Sequence, residues 1–323
     1  MRKEVVACSF LHDNLGPCIV FLPLSFFYYL PLRYGLTSSA SPIASVALRC
    51  RSGGMVMKRL LLSGILLLTV MVSPSGSFGV DFQKGMDAAQ RGDFAAALKE
   101  WKPLAEQGDA HTQYNLGVMY QEGRGVAQDY KTAVKWYTRA AEQGIAHAQF
   151  NLGVMYKNGL GVTEDYKTAV KWYTRAAEQG IAPAQNNLGH MYRKGRGVTR
   201  NYKTAVKWYT RAADQEDASA QNNLGHMYQN GKGVPQDHAE AFKWYRLAAN
   251  QGVADAQLNL GVMYGKGYGV MQDYTRALMW WTIAASQGHE TARKNRDIVA
   301  KRMTPEQIAE AKRLARDWKP KKE

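Results

Sequence analysis

The chain has 323 residues and a formal net charge of +15, from 42 lysine and arginine residues against 27 aspartate and glutamate residues. This excess favours acidic partners, anionic surfaces or nucleic acid without selecting among them. All three cysteines, Cys8, Cys18 and Cys50, precede residue 51. Neither disulfides nor thiolate metal ligands can therefore hold the remaining chain together.

The first recognisable element is a secretory signal. A basic start at 57–59 is followed by an apolar run over 60–72 and then by a proline and small residues, which are the parts of a cleavable signal peptide. We predict a signal peptide at 57–79, with cleavage before Val80. An uncut membrane anchor is the alternative, but the run is shorter than the ~20 residues that span a bilayer. No stable membrane span is expected after cleavage.

Because a signal peptide belongs at an N-terminus, the residues before it need an explanation. Residues 1–56 hold a second apolar stretch, interrupted by Pro23 and Pro31, and show no repeat. We expect translation to begin at Met57 or Met55 and residues 1–56 to be an upstream extension.

From residue 109 the sequence repeats every 36 residues. Each unit carries Asn-Leu-Gly, Met-Tyr, Gly-x-Gly-Val, a tryptophan and Ala-Ala in the same order. One unit cannot cover its own apolar stripe, so stacked neighbours must bury it. The five predicted repeats are 109–144, 145–180, 181–216, 217–252 and 253–288.

Each unit is predicted to form two helices. The first runs from about Ala110 to Gln121, and Gly123 ends it because glycine tolerates the left-handed conformation. Asp129 is the predicted N-cap of the second helix, whose apolar stripe includes Trp136.

Two glycine positions carry further expectations. Gly117 should let another backbone approach the first helix closely. Gly144 should close the unit, whereas the third repeat has Glu216 at that position. Since a left-handed turn at a non-glycine residue costs on the order of 1 kcal/mol, we expect this joint to bend differently.

Atypical segments flank the repeats. Residues 80–108 form a partial unit, with a short helix over Phe82–Gln90 and Trp101 placed 35 residues before Trp136. Residues 289–323 are predicted as a C-terminal capping helix and basic tail. This helix begins at a capping box, Thr304 to Gln307 with proline at the first helical position, and ends near Trp318.

The repeated alanine, Leu-Gly, tyrosine, Gly-x-Gly-Val, Asp-Tyr, tryptophan and Ala-Ala pattern resembles the Sel-1-like repeat family, relatives of the tetratricopeptide repeats. The resemblance covers about residues 82–288. It implies an all-α fold: an α/α right-handed superhelical solenoid of helix-turn-helix repeats with capping helices at both ends. It also implies an adaptor for protein complexes, in bacteria often periplasmic or secreted. A cysteine-rich branch binds penicillin-type ligands, but this chain lacks its cysteines and that activity is not expected.

Repeats allow columns to be compared within one chain. Constant columns should serve stacking, and variable columns are free to contact partners. Three variable columns share one face of the first helix, which lines the concave side in the family; the alternative is that some of them contact the next repeat. We predict partner binding at Tyr114, Val118, Phe150, Val154, Asn186, His190, Asn222, His226 and Leu258. The third column contains Gln121, Lys157, Arg193, Gln229 and Gly265.

Two polar features of the first helices have alternative explanations. The constant asparagine, as in Asn115, could bind an extended peptide backbone, but a bond to a neighbouring loop carbonyl is the preferred interpretation. His190 and His226 should lie about 10 Å apart, whereas zinc ligands must each come within ~2.1 Å of the ion. We therefore expect no metal site, and partner contact or plain solvent exposure for both histidines.

The second helices of the first three repeats carry basic residues at steps of four. Stacking should align them into one patch that meets an acidic partner, or an anionic envelope polymer or lipid; a merely solvated face is the alternative. Nucleic acid is not expected, because we expect the chain to be exported and because aromatic residues do not interleave with the stripe. The predicted basic patch is Lys131, Lys135, Arg139, Lys167, Lys171, Arg175, Lys203, Lys207 and Arg211.

No catalytic constellation is evident. The glycine-rich stretch 265–269 lacks the spacing of a phosphate loop, and the serines and histidines have no third partner. We predict no enzyme activity and no cofactor. The predicted function is a protein-binding adaptor exported to the cell envelope; the alternative is a secreted or surface factor that binds host or competitor proteins.

Overall fold

The computed structural model describes residues 78–320, with side chains from residue 82. The chain divides into two units, 1–68 and 69–323, and the described residues all lie in the second. The predicted upstream extension 1–56, and all but the last two residues of the predicted signal peptide, lie outside the described residues.

Residues 78–320 form fourteen α-helices and no strand, which confirms the all-α prediction. They are α1 (Phe78–Gln90), α2 (Phe94–Glu106), α3 (Ala110–Glu122), α4 (Tyr130–Glu142), α5 (Ala146–Asn158), α6 (Tyr166–Glu178), α7 (Ala182–Lys194), α8 (Tyr202–Ala213), α9 (Ala218–Gln229), α10 (His238–Asn250), α11 (Ala254–Lys266), α12 (Tyr274–Ser286), α13 (Glu290–Ala300) and α14 (Pro305–Asp317). None of these helices is both long and apolar enough to cross a membrane.

The helices pack in sequence order as a solenoid. Each first helix pairs with its own second helix, and each second helix then contacts the first helix of the next unit. The apolar core is correspondingly a row of clusters, one at each step along the stack. Neighbouring hairpins thus bury what a single hairpin would expose.

The predicted helix ends are present. Asp129 accepts hydrogen bonds from the backbone nitrogens of Lys131 (2.9 Å) and Thr132 (3.2 Å) and so caps α4. Gly123 ends α3 in the left-handed conformation, with φ of 70°. The second loop glycine, Gly125, is also left-handed (φ 70°), and a Cβ on it would lie 2.6 Å from the carbonyl carbon of Phe94. It therefore lets the loop contact the start of the preceding hairpin's second helix.

Gly117 makes room for a ring, and the backbone also comes close in the third repeat, where a Cβ on the equivalent Gly189 would lie 3.2 Å from the carbonyl oxygen of Ala205. On Gly117 itself, an added Cβ would lie 2.5 Å from Cδ1 of Tyr137, the residue that follows the repeated tryptophan. This tyrosine is fully buried, with 0% exposure in each of the first four repeats. In the fifth repeat Trp281 takes its place and packs on Gly261. The glycine–aromatic pair is thus the central contact within each hairpin.

Each repeated tryptophan packs on the preceding hairpin. Trp172, for example, belongs to the cluster that contains Tyr137 and Leu152. Trp101, however, corresponds to the following column rather than to Trp136. Its ring packs on Gly85 and its Nε1 donates to the carbonyl of Phe82 (3.2 Å).

The joint after the third repeat keeps the left-handed turn but differs locally, because α8 ends one residue earlier than its equivalents, at Ala213, and Gln215 Nε2 donates to the carbonyl of Arg211 (3.2 Å). Glu216 adopts a left-handed φ of 65°, like the glycines at the equivalent positions. Its carbonyl accepts a hydrogen bond from Gln251 Nε2 (3.0 Å), just as the carbonyl of Gly144 accepts one from Gln179 (3.0 Å). The bond between repeats is therefore retained at the cost of an unfavourable backbone conformation.

Buried glutamines join the repeats, and we did not predict them. Gln149 Nε2 donates to the carbonyl of Ala141 in the last turn of α4 (3.0 Å), and its Oε1 accepts from Gln179 (2.8 Å). Helix ends leave such carbonyls without partners within the helix. The buried glutamine recurs as Gln113, Gln185, Gln221 and Gln257, and its partner as Gln143, Gln215, Gln251 and Gln287.

The C-terminal segment contains the predicted capping box and one helix more than expected. Thr304 and Gln307 make reciprocal side-chain to backbone bonds at the start of α14. Trp318 packs edge-on against Trp280, with ring centroids 5.8 Å apart. The additional helix, α13, begins 36 residues after α11, so the segment is a degenerate sixth hairpin.

Candidate protein-binding surfaces

The predicted partner residues all lie on one side of the first helices, here called the first-helix face. Every one of them is half-buried rather than fully exposed. The first-helix face comprises Tyr114, Val118, Phe150, Val154, Asn186, His190, Asn222, His226 and Leu258, together with the third column given above.

The apolar end of this face is partly used by the core. The Tyr114 ring lies 5.9 Å from that of Tyr137, and the Phe150 ring lies 6.1 Å from that of Tyr173. Val118 and Val154 pack against the clusters of their own hairpins. The residues of repeats one and two are therefore fixed in position while part of each side chain remains accessible.

The asparagines connect adjacent repeats. Asn223 Nδ2 donates to Asn186 Oδ1 (3.0 Å), and Asn259 Nδ2 donates to Asn222 Oδ1 (3.4 Å). The expected bond to a loop carbonyl was wrong for Asn223 and Asn259. Asn186 and Asn222 consequently each have one amide oxygen engaged within the protein.

The two histidines are half-buried, so plain solvent exposure was the wrong expectation. Burial, together with Arg193 and Lys157, lowers the pKa of His190 to about 4. Burial and Arg193 also lower the pKa of His226, whose Nδ1 has no hydrogen-bond partner within residues 82–320. Both side chains are therefore neutral at pH 7. Among the described residues, no group of three or more metal-binding side chains occurs.

The third column contributes to the hairpins themselves. Gln121 Oε1 accepts from the Tyr137 hydroxyl (2.9 Å), and Arg193 Nε donates to the Tyr209 hydroxyl (3.2 Å). In the fifth repeat Gly265 replaces these long side chains, and a Cβ there would lie 3.1 Å from Trp281. The larger ring and the missing side chain thus occur together.

The charge of the first-helix face is one-sided. Helices α5, α7 and α9 contain no aspartate or glutamate, but carry Lys157, Arg193 and Lys194. Acidic residues occur on the flanking first helices, as Glu122 on α3, Asp255 on α11, and Glu290 and Asp297 on α13. The middle of the face is consequently suited to a partner that carries carboxylates.

A cavity of about 250 Å³ lies on the same side, between α11 and α13. Val262 and Trp281 contribute apolar surface, Ile298 is 57% exposed at its edge, and Lys266 and Arg302 are the cations among the lining residues. Ile298 lies 36 residues after Val262 and so continues the Val118 column. Extending the repeat past residue 288 would have predicted this position.

The basic patch lies on the second helices, and all nine of its residues are exposed. Arg139, Arg175 and Arg211 lie over the rings of Trp136, Trp172 and Trp208, at 4.7, 4.8 and 4.9 Å. Aromatic residues therefore do accompany the basic stripe, contrary to expectation, although Trp172 and Trp208 are buried. Within residues 82–320 none of the nine cations forms an ion pair with a carboxylate.

A larger cavity of about 780 Å³ lies between α12 and α14. It is lined by Ile283, Lys312 and Trp318, among others, none of which belongs to a predicted binding column. It is a feature of the C-terminal cap.

Stacked hairpins with conserved packing columns and variable surface columns define an α-helical repeat scaffold. Residues 110–145, 146–181, 182–217, 218–253 and 254–289 each match the Sel1 repeat. The chain belongs to the Sel1 repeat family. Proteins of this family generally act as non-catalytic scaffolds for protein–protein interaction.

Solved structures with the same fold include two bacterial proteins. A protective antigen present in uropathogenic Escherichia coli strains is 35% identical, with a TM-score of 0.67, over 82% of this chain and 56% of the antigen. This chain thus spans little more than half of that relative's length. A Sel1 repeat protein from Oxalobacter formigenes is 34% identical, with a TM-score of 0.64, over 73% of this chain and 96% of that protein. No curated protein sequence matches.

Proposed function

We propose that this protein is a non-enzymatic adaptor that is exported to the cell envelope and holds partner proteins on its first-helix face. The observation that carries the proposal is how the columns are used. The packing columns, such as Gly117 with Tyr137, are buried in contacts between helices, whereas the variable columns remain half-exposed on rigid helices. Rigid, partly accessible side chains lose little conformational entropy on binding.

The partner is expected to be acidic. Repeats two and three contribute only positive charge to the first-helix face and repeat four contributes none, and Arg193 is held in place by the Tyr209 hydroxyl (3.2 Å). The basic patch is a second candidate surface for an acidic protein or an anionic envelope polymer or lipid. Opposite charges across an interface increase the association rate and select against wrong partners.

Site-specific photo-crosslinking in intact cells tests which face binds. A photoreactive residue at Lys157 or Lys194 reports on the first-helix face, and one at Lys135 or Lys207 reports on the basic patch. We expect a crosslinked partner of defined mass from the first pair, lost when Tyr114 and Phe150 are both changed to alanine. Crosslinks confined to the second pair would instead identify the basic patch as the binding surface.

Export is tested by the N-terminus of the natural protein. A first residue at Val80 is expected if the signal at 57–79 is cleaved. A peptide from residues 1–50 would contradict the proposal that 1–56 is an upstream extension.

A secreted or surface-exposed factor is the second candidate function. The observation that favours it is the similarity to a protein described as a protective antigen of uropathogenic E. coli strains. Cell fractionation separates the two candidates: retention in the periplasm supports the envelope adaptor, and digestion by protease added to intact cells supports the surface factor.

A further inference from the structure

We infer that the cavity between α11 and α13 is a specificity pocket that receives one apolar side chain from an acidic segment of the partner protein. The inference rests on the proposed function, because it places the anchor point of the same first-helix face. It concerns the fifth repeat and α13 rather than the apolar residues of repeats one and two.

The pocket exists because the fifth repeat departs from the other four at two coupled positions. The third column has Gln121, Lys157, Arg193 and Gln229 in the first four repeats but Gly265 in the fifth. Trp281 replaces the tyrosine of the following helix and packs on Gly261 and Gly265. A long side chain at 265 would project into the space beside this ring, so its absence leaves the opening.

Helix α13 forms the other wall. It stands where a sixth first helix would stand, and Ile298 continues the column of Val118 and Val262. Ile298 is 57% exposed, whereas the adjacent Val299 is 5% exposed and belongs to the core. An exposed isoleucine beside a tryptophan-lined cavity is apolar surface that a partner can cover.

The size of the pocket selects one side chain. Its volume of about 250 Å³ lies below the roughly 300–1,000 Å³ of sites that enclose whole small molecules. A leucine, isoleucine, methionine or phenylalanine side chain is the type of anchor that such an apolar pocket accommodates.

The charge around the pocket selects the neighbours of that side chain. Lys266 and Arg302 are among the lining residues, and the lining includes no carboxylate. Neither cation forms an ion pair within residues 82–320. Helices α5 and α7 likewise carry cations and no carboxylate, and α9 carries neither. An apolar residue flanked by aspartate or glutamate therefore complements the pocket and its surroundings.

The test is a selection of random peptides displayed on phage against the purified full-length chain. We expect enriched peptides in which an apolar residue has an acidic residue within two positions. In the synthetic peptides, replacing the apolar residue by alanine, or the acidic residue by its amide, should weaken binding. Enrichment of apolar peptides without acidic residues would overturn the inference, as would enrichment of acidic peptides without an apolar anchor.

Two protein variants close or alter the pocket. Gly265→Gln restores the side chain of repeats one and four, and Ile298→Gln removes the exposed apolar wall without touching the core. Both should weaken the selected peptides by at least about tenfold, as when an anchor loses its pocket. Leu247→Gln is the matched control, because Leu247 is 38% exposed on a second helix and its replacement should leave affinity unchanged. Circular dichroism melting checks that each variant is folded.

The outcomes separate this inference from the proposed function. Peptides that bind wild type and both pocket variants with equal affinity refute the pocket. If Arg193→Gln weakens the binding of those peptides, the first-helix face remains a protein-binding surface. If no displayed peptide is enriched, the pocket fails, whereas the proposed function is decided by the photo-crosslinking in intact cells.

Discussion

At the scale of single residues, the constant columns act in pairs. The fully buried Tyr173 needs the bare backbone of Gly153, and the buried Gln149 satisfies a helix-end carbonyl while accepting a bond from Gln179. The comparison between repeats predicted that constant columns serve stacking, but it singled out neither the glutamine nor the tyrosine column. It could not predict the pairing, because the partners lie 20 to 30 residues apart and meet only when helices pack.

Replacing Gln149 by leucine should destabilise the fold. The carbonyl of Ala141 would keep only its bond from the Gly144 nitrogen (3.1 Å), and Gln179 would keep only its bond to the Gly144 carbonyl (3.0 Å). Each of the two lost hydrogen bonds contributes about 0.5–1.5 kcal/mol. Urea unfolding followed by circular dichroism measures the shift. Gln128→Leu is the matched control, because Gln128 also donates to a carbonyl (Gln121, 2.8 Å) but is exposed. An equal effect in both variants would contradict the role of the buried ladder.

Replacing Gly153 by alanine should displace a ring. The added Cβ would lie 2.7 Å from Cδ1 of Tyr173, which is fully buried, and overpacking of this kind typically costs about 1–3 kcal/mol. The cost should largely vanish when Tyr173 is also changed to alanine, since contacting residues are energetically coupled. A double-mutant cycle of unfolding free energies measures this coupling. Additive effects would show that the pair does not interact as described.

His190 makes stability depend on pH. Burial and neighbouring cations lower its pKa from 6.5 to about 4 in the folded chain. Between these values the unfolded chain binds a proton that the folded chain does not, so this group destabilises the fold as pH falls from about 6.5 to about 4. The free energy of unfolding of His190→Val should fall less between pH 7 and pH 5 than that of wild type. Urea unfolding at both pH values measures this difference.

Val118, Val154 and Val262 occupy the same column, so this substitution suits the packing of a first helix. Nuclear magnetic resonance titration of wild type provides the direct check. A measured pKa of His190 near 6.5 would contradict the prediction.

At the scale of helices, local signals were sufficient. Gly123, Asp129 and the capping box at Thr304 predicted where helices begin and end, and each does so through the expected bonds. Helix α13 was missed because it has lost the Leu-Gly and Met-Tyr signature that marks the other first helices. Its position was nevertheless implicit in the repeat length, since it begins 36 residues after Ala254.

Removing α14 should expose the end of the stack. Ala311 is fully buried in the last cluster, and Trp318 lies 5.8 Å from Trp280, so a chain ending at Met303 leaves the apolar surface of α12 uncovered. We expect a lower melting temperature and self-association, because terminal repeats need a polar outer face. A chain ending at Trp318 keeps these contacts and serves as the control. Melting by circular dichroism and size-exclusion chromatography distinguish the two chains, and identical behaviour would show that α14 is not a cap.

At the scale of the whole molecule, two surfaces of different character remain. The first-helix face combines half-buried apolar side chains with a carboxylate-free middle, and the basic patch is an exposed stripe on the second helices. Sequence comparison between repeats located both surfaces. It could not show that the first-helix face is half-buried, or that Gly265, Trp281 and Ile298 enclose a pocket, because those properties depend on distances between repeats.

The two surfaces should differ in their response to salt. The patch cations are exposed and unpaired within the described residues, so attraction between them and an anionic partner is screened as ionic strength rises. Changing Lys135, Lys171 and Lys207 to glutamate lowers the formal net charge from +15 to +9. If the partner binds the patch, this change should lower its affinity strongly at low salt and only slightly at high salt.

Changing Lys312, Arg316 and Lys319 to glutamate produces the same net charge away from the patch. The affinity of the crosslinked partner is then measured for wild type and for both charge-reversed variants, from about 50 mM to 500 mM salt. This range includes the salt concentration at which the Debye length is ~10 Å. Because both variants have the same net charge, a difference between them shows the effect of where the charges are placed. If the two reversals weaken binding equally, net charge alone explains the attraction. If neither has an effect at any salt concentration, the patch is only a solvated face and recognition belongs to the first-helix face, whose half-buried contacts are screened much less.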